Sequence, residues 1–204
     1  MDGVLLDTER LYNKCWRQAS HDMGYMLSEK ELLSLRSCDI RVAAPLFGGP
    51  ENYLAVRAHR KELMNELLKE TGLPLKPNAA ECADKLRKAG LKTAVVTATP
   101  LYRAKDYLTQ TGLIEHFDTV ISAKDVPRGK PFPDVYEYAC IEFGFAPGEC
   151  YAVEDSPNGL KSAKTAGLTT VMIPDLTPLD DETKPFTDLC FDSLMEMAAY
   201  IIGN

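Results

Sequence analysis

Positive charge is in short supply in this chain. Its 23 Lys and Arg stand against 30 Asp and Glu, a formal net charge of -7, and the pI is near 5.1. No basic run appears, which argues against nucleic-acid or membrane-surface partners, since both need a basic patch to meet phosphates. The six cysteines (Cys15, Cys38, Cys82, Cys140, Cys150, Cys190) have no CxxC spacing. They read as small core or surface residues in a reducing compartment rather than as zinc or redox sites. His21, His59 and His116 show no ligand spacing and receive no role. No apolar run approaches the roughly 18 to 20 residues needed to cross a bilayer. The first residues also lack a signal peptide's basic and apolar regions, so a cytoplasmic location is expected. Internal repeats and low-complexity tracts are absent.

What the chain does have is a change of texture at Pro77. From about Glu9 to Pro77 the periodicity is helical, with Leu11, Cys15, Trp16 and Ala19 on one face, followed by Leu32, Leu33 and Leu35. A further helix is predicted through Leu54, Ala58, Leu63, Met64, Leu67 and Leu68, stopping at Gly72 and Pro74. After Pro77, helix patterns at about 79–89, 102–112, 134–144, 157–166 and 193–202 alternate with short apolar strands at 92–97, 118–122, 150–154 and 169–173. Alternation of this kind builds a parallel sheet with helices on both faces. The expected fold is α/β, with a Rossmann-like doubly wound core formed by 1–8 and 78–204 and a helical insertion at 9–77. At 204 residues the chain can bury a substantial core.

Four segments carry the chemistry. Asp2-Gly3-Val4-Leu5-Leu6-Asp7-Thr8-Glu9 opens the chain. Lys92 to Thr97 is a buried-strand pattern that empties into Ala98-Thr99-Pro100. Arg128-Gly129-Lys130-Pro131-Phe132-Pro133-Asp134 sets a lysine between a glycine and a proline ahead of a helix. Glu149 to Gly159 runs from a strand into Glu154-Asp155 and then a Ser-Pro-Asn-Gly turn. Any one of these is weak alone; an Asp-Gly pair is usually a plain turn. In this order over almost the whole chain, they resemble the four motifs of the haloacid dehalogenase superfamily.

The resemblance implies phosphoryl transfer through an aspartyl-phosphate. Its nucleophile would sit two positions before Asp2, upstream of Met1, on an apolar strand in the middle of the sheet. The expectation is that Met1 is an internal methionine of a Phe-Asp-Met-Asp-Gly run, and that the chain starting at Met1 is inactive. Asp2 maps onto the general acid/base, Thr97 and the neighbouring Ala98 backbone onto the phosphoryl oxygens, and Lys130 onto the charge-neutralising lysine. Mg²⁺ is the implied cofactor, held by Asp155, Glu154 and the backbone carbonyl of Asp2. Plainer readings stand beside these: a turn aspartate, a strand-end threonine, a surface lysine, and a Glu-Asp pair that caps a helix.

By the same resemblance the insertion at 9–77 is a cap that selects substrate. Tyr12 and Trp16, four apart, can face the site from one helix or simply be core. Arg36 and Arg41 can meet a second anionic group or be surface charges. Pro77-Asn78 replaces the usual Pro-Gly hinge, and Asn tolerates left-handed geometry. Because Asp2 is present, a phosphatase of small phosphorylated metabolites, sugar or polyol phosphates, is expected rather than a dehalogenase. A β-phosphoglucomutase-like mutase and a catalytically dead phosphate- or partner-binding protein remain as alternatives. The expected partner is a small phosphate ester.

Overall fold

A computed structural model describes residues 1–203. The helical segment comprises α1 (Glu9–Asp22), α2 (Glu29–Ser34), α3 (Ile40–Ala43) and α4 (Pro50–Thr71). The α/β part follows as α5 (Ala79–Lys88), β1 (Ala94–Thr97), α6 (Leu101–Gln110), β2 (Thr119–Ser122), α7 (Asp134–Phe143), β3 (Tyr151–Glu154), α8 (Pro157–Thr165), β4 (Thr169–Met172), β5 (Leu189–Cys190) and α9 (Leu194–Gly203). The strand β5 is absent from the sequence expectation. Its two residues are too short for periodicity, and its pairing to β4 through Val171 and Met172 is long-range.

All strand pairs are parallel. β1 pairs with β2, and β3–β4–β5 form a second ladder. Period-2 alternation sends neighbours to opposite faces. Val95, Val120 and Val153 pack toward α5, α6 and α9, while Val96, Ile121 and Ala152 pack toward α7 and α8. Both faces are therefore covered, as a parallel sheet requires. Among the described residues the two ladders are not joined, and β1 and β3 do not pair. An apolar cavity of about 560 Å³ lies between β1 and β3, walled by both strands and by Val4, Leu5 and Met197. Met1 stands at its edge.

The helical segment is organised by aromatics. Trp16 stacks on Tyr53 at 5.9 Å and lies 6.2 Å from Phe47, and Tyr25 meets Phe47 edge-on at 5.2 Å. Ser28 and Glu31 close a reciprocal capping box at the start of α2. α4 begins with Pro50 and stops at Gly72, whose φ of +70° ends the helix. Of the expected row Met64 is buried and Leu63 and Leu68 pack against the core, but Leu54 is exposed, and Tyr53 and Val56 complete the buried face. That expected row followed leucine content, whereas the helix turns its aromatic side to α1.

The two crossings between helical segment and core lie side by side. The Asp7 N–H donates to Pro74 O and the Lys76 N–H to Leu5 O, with an antiparallel bridge at Leu6 and Leu75. Asn78 takes the left-handed conformation, φ 60° and ψ 20°, the geometry that asparagine accepts at lowest cost after glycine.

Candidate active site

Parallel strands deliver their carboxyl ends to one edge of the sheet, the place where ligands bind in open α/β folds. Here those ends are Thr97, Ser122 and Glu154. Above them lies a cavity of about 110 Å³ between the sheet and the helical segment. The structure brings Asp2, Tyr12, Trp16, Arg36, Thr97, Ala98, Lys130 and Glu154 onto its lining.

Asp2 is fixed from two sides. Thr8 Oγ1 donates to its Oδ1 at 2.6 Å and Thr99 Oγ1 to its Oδ2 at 3.0 Å. Gly3, at φ +75°, carries the chain past Asp155 so closely that a Cβ would stand 2.3 Å from the Asp155 Oδ2. Both the positive φ and the contact demand glycine. Gly3→Ala is therefore expected to lose about 2 kcal/mol or more of stability through backbone strain and overpacking, read as a lowered urea midpoint. An unchanged midpoint would show that the turn has another conformation.

Thr97 is buried, and its Oγ1 accepts from the Thr99 N–H at 3.1 Å, which shapes the loop through Ala98. Ser122 Oγ ties that loop to β2 by donating to Thr99 O at 2.8 Å. Lys130 is 2% exposed, not a surface lysine. Its Nζ donates to Val96 O and Tyr136 Oη, each at 3.3 Å, and to Glu154 Oε1. Tyr136 Oη donates to the same carboxylate oxygen. Burial opposes ionisation of Glu154, but the Lys130 charge, then the Met1 amino group and the hydrogen bonds from Lys130 and Tyr136, outweigh it and hold the carboxyl below its ordinary range.

Asp155 is paired differently. Arg36 Nη1 donates to its Oδ2 at 3.0 Å, with both side chains 3% exposed, and Arg36 Nη2 donates to Thr177. Burial, reinforced by Glu154 and Asp175, pushes Asp155 up to about 7 in spite of Arg36. Glu9 is raised well above its ordinary value by burial, then by Asp155 and Asp2. The helix-capping role falls to Ser156, whose Oγ accepts from the Gly159 N–H at 3.1 Å, so Glu154 and Asp155 are not its caps. Among the described residues no three His, Cys, Asp or Glu side chains already converge as ligands. The buried excess of carboxylate around Asp155, Glu9 and Asp2 nonetheless fits a hard divalent cation with oxygen ligands.

Two expectations need correction. Arg41 does not line the cavity: it is half exposed, pairs with Asp39 at 3.2 Å and donates to Pro127 O at 3.2 Å. Arg36 reaches the site with both terminal nitrogens committed to Asp155 and Thr177, and only its buried Nε lacks a partner. Tyr12 and Trp16 combine both readings, since Trp16 packs in the aromatic core and also meets the cavity. Sequence reasoning missed Asp39. It accepts from the Gly129 N–H at 2.7 Å, and its own N–H donates to Lys130 O at 2.8 Å, so the start of α3 clasps the Lys130 loop. It also missed Arg60, whose guanidinium lies 4.9 Å from the Tyr12 ring and 5.0 Å from the Trp16 ring. An arginine one turn of α4 beyond Val56 carries no motif signal.

A parallel α/β sheet with buried carboxylates, a buried lysine and a hydroxyl at its carboxyl edge, closed by helices, is the framework of a hydrolase. The chain belongs to the haloacid dehalogenase-like hydrolase family, which matches residues 1–173. It is similar to hexitol phosphatase B of Escherichia coli strain K12, 29% identical over 98% of this chain and 92% of that one. It is also similar to the phosphorylated carbohydrates phosphatase of Thermotoga maritima, 28% identical over 84% of this chain and 81% of that one. Among solved structures, CbbY from Rhodobacter sphaeroides in complex with phosphate superposes with a TM-score of 0.77 at 26% identity, covering 97% of this chain and 93% of that one.

Proposed function

We propose that the protein is a Mg²⁺-dependent phosphatase of small phosphorylated metabolites, sugar or polyol phosphates. It would act through an aspartyl-phosphate whose nucleophile lies on an apolar strand just upstream of Met1. The observation that carries this reading is the meeting of Asp2, Thr97, Lys130 and Glu154 on one cavity at the carboxyl edge of the strands. The two phosphatases named above support the substrate class.

The cavity between β1 and β3 supports the placement of the nucleophile. Its walls are apolar and belong to two parallel edges, and Met1 lines both this cavity and the polar one. A strand seated there would run straight into Asp2 and end above Thr97 and Lys130.

In this scheme the phosphoryl oxygens are held by Thr97 Oγ1 and by backbone N–H groups of the Ala98–Thr99 loop. Lys130 offsets negative charge shared by phosphate and nucleophile while remaining anchored to Glu154. Asp2 protonates the leaving oxygen and then takes a proton from the attacking water, its orientation fixed by Thr8 and Thr99. Asp155, Glu154 and the Asp2 carbonyl would hold Mg²⁺, which when bound offsets the repulsion between dianionic phosphate and carboxylates.

The test is phosphate release from hexitol phosphates, hexose phosphates and p-nitrophenyl phosphate by the protein carrying its upstream strand. Release that requires Mg²⁺ and stops with EDTA is expected. No release from any of these esters in saturating Mg²⁺ would overturn the reading.

A further inference from the structure

The cavity has two walls of different character. On the sheet side Lys130 pairs with Glu154 and Arg36 with Asp155, while Lys124, just beyond β2, makes no ion pair among the described residues and lies near Arg57. On the opposite side stand Arg57 and Arg60 of α4 and Arg103 at the start of α6. Among the described residues none of these three has a carboxylate within ion-pair distance. Arg103 Nη2 donates to the neutral Asn65 Oδ1 at 3.0 Å. Arg60 has its guanidinium against Tyr12 and Trp16, and its Nε is buried with no hydrogen-bond partner. Burial lowers the Arg60 pKa, and the nearby Arg57 and Arg103 charges lower it further.

A guanidinium that is stripped of water and left with an open donor is costly unless an acceptor arrives. Arg60 is that group, and the neighbouring charges of Arg57 and Arg103 repel it until an anion joins them. Guanidinium is also the side chain best matched to a phosphate or carboxylate, through paired N–H donors. Its flat face against Tyr12 and Trp16 fixes the direction of those donors.

We propose that this wall is a second anion-binding site, so that the preferred ligand is a phosphate ester bearing a second anionic group at its far end. Arg60 is its central donor, with Arg57 and Arg103 flanking. Tyr12 lies between the two sites, since its environment includes both Asp2 and Arg60. One ligand can therefore present its reacting phosphate to Asp2 and its second anion to Arg60. A second phosphate and a sugar carboxylate share this chemistry. The proposal rests on the phosphatase reading for the first anion and is independent of turnover for the second.

Trp16 is the only tryptophan of the chain and touches Arg60, so its fluorescence reports binding without catalysis. The probes are fructose 1,6-bisphosphate, 6-phosphogluconate and glucitol 6-phosphate, titrated with Mg²⁺ present into the parent and into Arg57→Gln, Arg60→Gln and the double variant. At least one bis-anion is expected to bind about tenfold tighter than the mono-anion. The arm showing the larger preference identifies phosphate or carboxylate. The ratio is expected to fall toward one in the double variant and to shrink with added salt. Circular dichroism melts select variants that fold, and Arg57→Gln, which leaves the ring contacts intact, serves if Arg60→Gln does not. Equal affinities for all three probes in the parent would overturn the proposal, as would a preference unchanged in the folded variants. Binding of the bis-anion without phosphate release by the protein extended with the proposed upstream strand would instead count against the phosphatase reading and leave this site standing.

Discussion

Lys130→Met is expected to cost about 3–5 kcal/mol of folding stability, a drop in Tm on the order of 10 °C for a chain of this size. Methionine fills much of the lysine stem's volume, so packing loss is a minor part. The main effect is on Glu154, buried and left with Tyr136 and a long 3.5 Å contact from Ser156 Oγ as its donors. Removing one partner of a buried pair exposes the other to the full desolvation cost, whereas removing both often costs little. Lys130→Met with Glu154→Leu is accordingly expected to recover a large part of the stability, although neither protein should retain activity. Thermal melts of the single and double variants check this; equal melts would show that Lys130 acts through packing, not charge.

The pH dependence of the same variants has a definite sign. In the parent, Glu154 is held below its ordinary value, so its contribution is present above that value and is lost as pH falls through the folded-state pKa. In Lys130→Met the carboxyl has lost its cation and burial dominates, so its folded pKa moves above the unfolded one. The variant's deficit should then be largest at neutral pH and shrink as pH falls through that raised pKa. A deficit independent of pH would contradict the electrostatic origin.

What the sequence made legible follows the range of the forces involved. The strands were readable because burial on both sheet faces leaves continuous β-branched runs such as Ala94–Thr97. The left-handed Asn78 was readable because few residues accept that geometry. The residues that share the cavity, Asp2, Thr97, Lys130 and Glu154, were found through motif order, since they come from four separate segments of the chain. What stayed hidden depends on pairing across the chain. Arg36 finds Asp155 119 positions away, which no local pattern encodes, and its commitment there leaves the arginines of α4 and α6, Arg60 foremost, as the uncompensated cations. Residue type placed arginines near the site; tertiary contacts decided which of them are free.

Asp2→Asn is expected to lower kcat by about 10²–10⁴-fold while leaving the fold intact, because it removes proton transfer and little else. The amide is nearly the size of the carboxylate. Its oxygen can accept from one threonine hydroxyl, and its NH₂ can donate to the other, since a hydroxyl rotates to serve as acceptor. Thr8 and Thr99 thus keep a partner each, and the Tm should change by only a few degrees. The leaving group then separates acid catalysis from a general loss of shape. A hexitol alkoxide needs a proton to depart, whereas p-nitrophenolate leaves readily without one. The loss should be greater for the hexitol phosphate, measured as kcat on the protein extended by the proposed upstream strand. Equal losses for the two esters would move the effect of Asp2 from protonation of the leaving oxygen to a step common to both, deprotonation of the attacking water or positioning between Thr8 and Thr99.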